Sequence, residues 1–243
     1  MTQWQNAWSK WFDFRLTVDR LFTYTLEGTS LNDQEKSPYY TIISNPTQFF
    51  KARQYTLHWL WVAVSLGVIE GITAMAQTRY MLQTPLYIAF FTHKTAAQAA
   101  AYKAQVAQTA PLGGFFGAFL SICVIGFILW MLVRMFSKDL ILRNALGIVA
   151  NASIVAMIGN VLTTLATLST GRLQSGFLSL AMFAPAGGAA AVILGAFGLF
   201  NLWMVYVEIV GVSVLTGMPK RRAAIPVIIG WVMIIFLGIG MPA

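Results

Sequence analysis

Five stretches of this chain run for about twenty residues each with almost no charge, and they dictate its solvent. The hydrocarbon layer of a bilayer is about 30 Å thick, and a helix needs about 20 apolar residues to cross it. The runs cover residues 55–76, 114–136, 145–168, 190–216 and 225–241, the fourth long enough to tilt or to begin with a loop. Lipid offers the backbone no hydrogen bonds, so each run must satisfy its own amides and is predicted to be a helix. Strand-like alternation is absent, which argues against a β-barrel. Composition agrees: 58% of the 243 residues are hydrophobic and 10% are charged, against about 25% charged in an average soluble domain. The expected fold is all-α. It is a polytopic membrane protein with a five-transmembrane-helix bundle over residues 55–243 and an N-terminal region over residues 1–54.

Orientation follows from the basic residues, which gather on the cytoplasmic side of membrane proteins. If the runs alternate in direction, 12 of the 16 lysines and arginines fall on one side and 4 on the other. The larger group precedes the first run, joins the second to the third (Arg134, Lys138, Arg143) and joins the fourth to the fifth (Lys220, Arg221, Arg222). The N-terminus is therefore expected in the cytoplasm and the C-terminus outside. The net charge of +8 is spread over these connections and not collected on one face, so nucleic acid is not an expected partner. No apolar stretch near Met1 resembles a secretory signal peptide. The first run is expected to act as the targeting signal and to stay in the membrane.

The N-terminal region opens with "WQNAWSKWFDFRLTVDRLF". Trp4, Trp8, Trp11 and Phe12 share a helical face, with Lys10, Asp13 and Arg15 interleaved, so they are candidate interfacial anchors of an amphipathic helix lying in the headgroup region. The alternative is a helix packed on a partner protein or on the cytoplasmic ends of the bundle. A polar linker, residues 27–38, follows, and then "IISNPTQFFKAR", in which Phe49 and Phe50 are expected to anchor at the interface. The connection 77–113 contains the alanine-rich "THKTAAQAAAYKAQVAQTA", with Thr92 or Thr95 as cap. It reads as a helix lying on the outer surface as a lid or buttress.

Polar groups inside the runs are the candidate functional residues, because an intramembrane ionisable group is expensive to insert. Glu208 lies twelve residues before Lys220, roughly 18 Å at 1.5 Å per residue, hence near mid-membrane. No lysine or arginine is available at its depth. It is expected either neutral and donating a hydrogen bond, or charged and lining a wet cavity. Asn201 lies seven residues earlier on the same helical face. The third run carries a second polar stripe: Ser153, Asn160, Thr164 and Thr167. The two stripes are expected to meet inside the bundle. Glu70 is placed in the outer half of the first run, with Gln77 at its outer end. The candidate intramembrane polar site is therefore Glu208, Asn201, Asn160 and Glu70. Small residues at helical spacing, Gly67 with Gly71 and Gly113 with Gly117, predict close helix approach, in this chain or against another.

No motif for catalysis, phosphate binding or metal binding occurs, and the two histidines, His58 and His93, are 35 residues apart. No cofactor is expected. The lone Cys123 has no cysteine to pair with in the chain and reads as a small packing residue.

The order of features resembles the Yip family, the Ypt/Rab-interacting membrane proteins, and in particular its compact bacterial members. "NPTQFF" precedes five runs, and the basic "VRMFSKDLILRNALGIVANAS" joins the second to the third. Phe200, Trp203, Gly211, the Lys220-Arg221-Arg222 turn, Ala223 and Trp231 carry the rest of the likeness, over residues 40–240. The resemblance implies a five-span membrane domain in the inner (cytoplasmic) membrane of a bacterium and association with other membrane proteins or with itself. In eukaryotic members it implies Golgi and endoplasmic-reticulum traffic with Rab-type GTPases, recognised through an acidic-leucine-tryptophan/tyrosine-glycine-proline motif. Residues 1–54 contain no such motif, which counts against GTPase binding. Glu208 stands where the pattern usually has an apolar residue. The expected function is a non-enzymatic membrane scaffold or accessory subunit of a membrane protein complex, in contact with the lipid bilayer. The alternative is a small transporter or channel-like protein that uses Glu208.

Overall fold

A computed structural model of the chain describes residues 39–53, 57–83, 87–88, 91–92, 94–170, 178–183 and 189–240. These fall within one compact unit that begins at Pro38. The tryptophan face of Trp4, Trp8, Trp11 and Phe12 lies outside the described residues. Every described element is helical: α1 (Thr41–Ser44), α2 (Pro46–Arg53), α3 (Trp59–Met81), α4 (Ala96–Arg134), α5 (Leu142–Thr170), a 3-10 turn (Leu180–Phe183), α6 (Ala189–Ala196), α7 (Leu199–Thr216) and α8 (Lys220–Gly240). Four of them, α3, α4, α5 and α7, are long and apolar enough to cross a membrane, and the chain is a membrane protein. The fifth predicted run is helical as well, within α8.

Two boundaries differ from the expectation. The alanine-rich outer segment does not lie across the surface as a separate helix. It is continuous with the second run, so α4 spans 39 residues, about 58 Å at the α-helical rise. Its N-terminus is closed by a capping box in which the Thr95 hydroxyl accepts from the Gln98 amide and the Gln98 side chain accepts from the Thr95 amide. Alanine loses no rotamer freedom in a helix, which carries α4 through the segment that hydropathy alone breaks off. The fourth run is divided, into α6 and α7, at Gly198, whose backbone is extended (φ −76°, ψ 149°). Asn201 holds that break by donating its Nδ2 to the Gly195 carbonyl at 3.2 Å. The carbonyls freed at the end of α6 thus gain a side-chain partner.

Contacts between elements fix the directions. Gly67 meets Phe115 and Gly71 meets Pro111, so α3 and α4 are antiparallel. Glu70 pairs with Asn160 and Gln77 with Thr164, so α3 and α5 are parallel. Gly159 faces Phe200 while Gly211 faces Ile148, so α5 and α7 are antiparallel. Consecutive long helices therefore alternate in direction. α5 packs against α3, α4 and α7 and is the most buried of the four long helices.

The crossing of α3 and α4 shows why glycine is needed. A Cβ on Gly71 would sit 2.7 Å from the Pro111 carbonyl oxygen, and one on Gly114 2.7 Å from the Glu70 carbonyl oxygen. The Gly67–Gly71 pair thus packs within this chain. Gly113 and Gly117 do not: nothing lies within 4 Å of either, and Gly114 takes the contact expected of them. From Leu112 onward the outward face of α4 carries an apolar stripe, with Leu112, Phe116, Leu120, Val124, Phe127 and Met131 exposed at three- and four-residue spacing. In water such a stripe would be a liability; against lipid tails it is the expected surface.

Phe49 and Phe50 are another correction. Both are 0% exposed and belong to the central core. Helix α2 packs on α7, with the Phe50 ring in the notch that Gly211 leaves open beside Ile148. The rings meet edge to face at 5.3 Å, and Arg53 covers Phe49 at 4.5 Å and Tyr39 at 4.4 Å. Burial against a glycine gives the rings more contact than a place at the lipid interface would.

Candidate functional site

The polar residues named from the sequence form two separate groups. The first joins α3 to α5. Asn160 Nδ2 donates to Glu70 Oε2 at 3.3 Å. One turn further along α5, Gln77 Nε2 donates to Thr164 Oγ1 at 2.6 Å, and that hydroxyl donates to the Asn160 carbonyl at 2.8 Å. Seven residues on α3 match four on α5, so the rungs occur where the two helices share a face. Glu70 is eleven residues from either end of α3, which begins at Trp59 and continues to Met81. Asn160 is exposed, so this pair opens onto the outside of the bundle at the middle of an apolar helix.

The second group lies between α4, α7 and α8. Glu208 is 6% exposed, and no hydrogen bond or ion pair of its carboxyl occurs among the described residues. It lines a cavity of about 280 Å³ whose polar lining is Glu208 and Asn201. Ile125 and Leu129 of α4, Met204 of α7 and Val227, Trp231 and Ile234 of α8 form apolar walls. Gly230 leaves its share of the wall without a side chain, and Trp231 is held by an edge-to-face contact with Phe197 at 5.2 Å.

Asn160, Thr164 and Ser153 of the α5 stripe do not bond to Asn201 or Glu208 of α7 among the described residues. Gly159 and Gly211 bring α5 and α7 together through Phe200 and Ile148, and these apolar contacts occupy the shared face. Asn160 and Thr164 turn to α3, Ser153 donates to its own Val149 carbonyl at 2.8 Å, and Asn201 and Glu208 turn to the cavity. Asn151, 2% exposed, likewise donates to its own helix, at the Gly147 carbonyl. Sequence reasoning noticed Trp231 only as part of a family likeness and passed over Gly230. The one signal for their role is position: both fall on α8 opposite the Asn201–Glu208 face, which no periodicity within a single helix reveals.

No family model matches the chain, and neither does any curated protein or any solved structure.

Proposed function

We propose that this chain is a non-enzymatic membrane scaffold or accessory subunit, similar to the bacterial Yip-like proteins, built to hold another membrane protein or a second copy of itself. In this reading α8 is the fifth span, the N-terminus is cytoplasmic and the C-terminus lies outside the inner (cytoplasmic) membrane of a bacterium. The observation that carries the reading is the Glu70–Asn160 pair, with Glu70 half-buried and Asn160 exposed. A carboxyl and an amide facing lipid at mid-helix are costly unless another polar surface covers them. A helix from a partner that brings hydrogen-bonding groups to this pair removes that cost. The open Gly113 and Gly117 on α4 offer a second place for close helix approach. Native mass spectrometry after mild detergent extraction tests the proposal. The wild type should carry a stoichiometric partner or a second copy, and Asn160→Leu combined with Glu70→Leu should release it. A wild type that runs alone under every mild condition defeats the reading.

The cavity beside Glu208 favours a second reading, a small transporter or channel-like protein. There, Glu208→Gln keeps the fold and abolishes proton movement into proteoliposomes loaded with a pH-sensitive dye. Full activity in Glu208→Leu would end that reading.

A further inference from the structure

The cavity between α4, α7 and α8 has one acid and no base in its lining. Asn201 spends one Nδ2 hydrogen on the Gly195 carbonyl, which leaves its Oδ1 and its second N–H. The opposite amide orientation would set two oxygens against each other, so this assignment follows from the contact itself. Glu208, 94% buried, contributes two carboxyl oxygens with no partner among the described residues. Trp231 adds an aromatic side chain to the wall, and none of the lining residues is a lysine, arginine or histidine. The lining therefore holds one acid and no base, and apart from Asn201 and the Trp231 indole N–H its other groups are apolar. A molecule with a positively charged donor at one end and apolar bulk at the other would give the buried Glu208 carboxyl the partner it lacks and fill the rest.

We propose that this cavity is a binding site for a small lipophilic primary amine, its ammonium group on Glu208 and its hydrocarbon body between α4 and α8. An ammonium has three donors and no acceptor, which complements the two Glu208 carboxyl oxygens. An aromatic wall adds attraction for a cation that has left water. The cavity is partly open, so its volume scales the portion of the ligand held inside. A cavity of 150 Å³ holds benzene, so a space of about 280 Å³ suits roughly eleven non-hydrogen atoms. Seven residues separate Asn201 from Glu208, about 10 Å along α7, so one ammonium engages Glu208 while the Asn201 oxygen lies beyond its reach. The site is independent of the partner surface at Asn160, which belongs to α3 and α5.

The test uses the full chain in lipid nanodiscs with phenylbutylamine as probe and phenylbutanol, of equal size and without charge, as control. Scintillation proximity or calorimetry should give saturable binding of the amine at one site per chain, at least ten-fold tighter than the alcohol. Glu208→Gln should lose that preference, whereas Glu208→Asp should keep part of it. Gly230→Leu, which fills the cavity without touching the carboxyl, should reduce binding of both probes. Equal binding of amine and alcohol overturns the proposal. So does amine binding within two-fold of wild type in Glu208→Gln. If Glu208→Gln fails to fold, the Gly230→Leu variant decides: amine binding at the wild-type level places the amine elsewhere and overturns the proposal.

Discussion

Two glycines four residues along from a matching position behave oppositely, and the difference lies entirely in what faces them. Gly71 is pressed against the Pro111 backbone carbonyl, which has no rotamer with which to yield. Gly71→Ala should destabilise the bundle by about 1–3 kcal/mol, the usual cost of overpacking a tight contact. Gly117 faces open space on the lipid side of α4. Gly117→Ala should leave thermal stability in detergent unchanged or raise it, since alanine is the better helix former. Equal losses for both substitutions would show that α3 and α4 do not cross as described. At this scale the sequence was a partial guide. Gly67 and Gly71 are legible as a contact motif, but Gly113–Gly117 carries the same spacing and makes no contact. A spacing rule records which residues share a face; it does not record which way that face points. The same limit applies to Asn160. Its place on a polar stripe is readable, while its pairing with Glu70 depends on which helix is the neighbour.

Among the elements, α4 departs furthest from what hydropathy suggests. A helix needs about 20 residues to cross lipid, and α4 has 39, so about half its length stands outside the hydrocarbon. That half is rich in alanine, short of large apolar groups and mostly exposed, so local helix preference and its cap support it more than packing does. Thr95→Ala should therefore cost about 0.5–2 kcal/mol locally. The effect should appear as faster hydrogen exchange at the Gln98 amide with little change in the melting temperature of the bundle. Unchanged exchange at Gln98 would show that the capping box contributes nothing to α4. The division between α6 and α7 was harder to anticipate. Residues 190–216 read as one apolar run, and only the glycine at position 198, followed three residues later by an asparagine able to cap the preceding carbonyls, marks the break. Helix type was legible because lipid permits little else. Helix continuity was not, because one extended residue interrupts a run without changing its hydropathy.

For the whole molecule, the helical architecture was readable from apolar run length, whereas the alternating directions, assumed in sorting the basic residues, come from the contacts among α3, α4, α5 and α7. The membrane restricts the chain to a few solutions. Side-chain placement in the core was less readable. Phe49 and Phe50 resemble interfacial anchors in sequence, and they become core because Gly211, far along the chain, leaves room for a ring. The proposed orientation can be checked on the complete molecule. A phosphatase fused to the C-terminus should be active in bacterial cells and a fluorescent protein fused there dark. The reverse pattern would mean that α8 does not cross or that the bundle is inverted.

The seat of Phe50 on α7 also sets a timetable for biogenesis. The phenylalanine and the glycine that receives it are 161 residues apart, with the glycine made later. At ribosomal speeds of about 5–20 residues per second, the ring waits roughly 8–30 seconds before its pocket exists. During that interval two phenylalanines stand undocked beside the first inserted helix. Docking of α2 is thus a late closure of the fold, although its residues are made before any of the long helices.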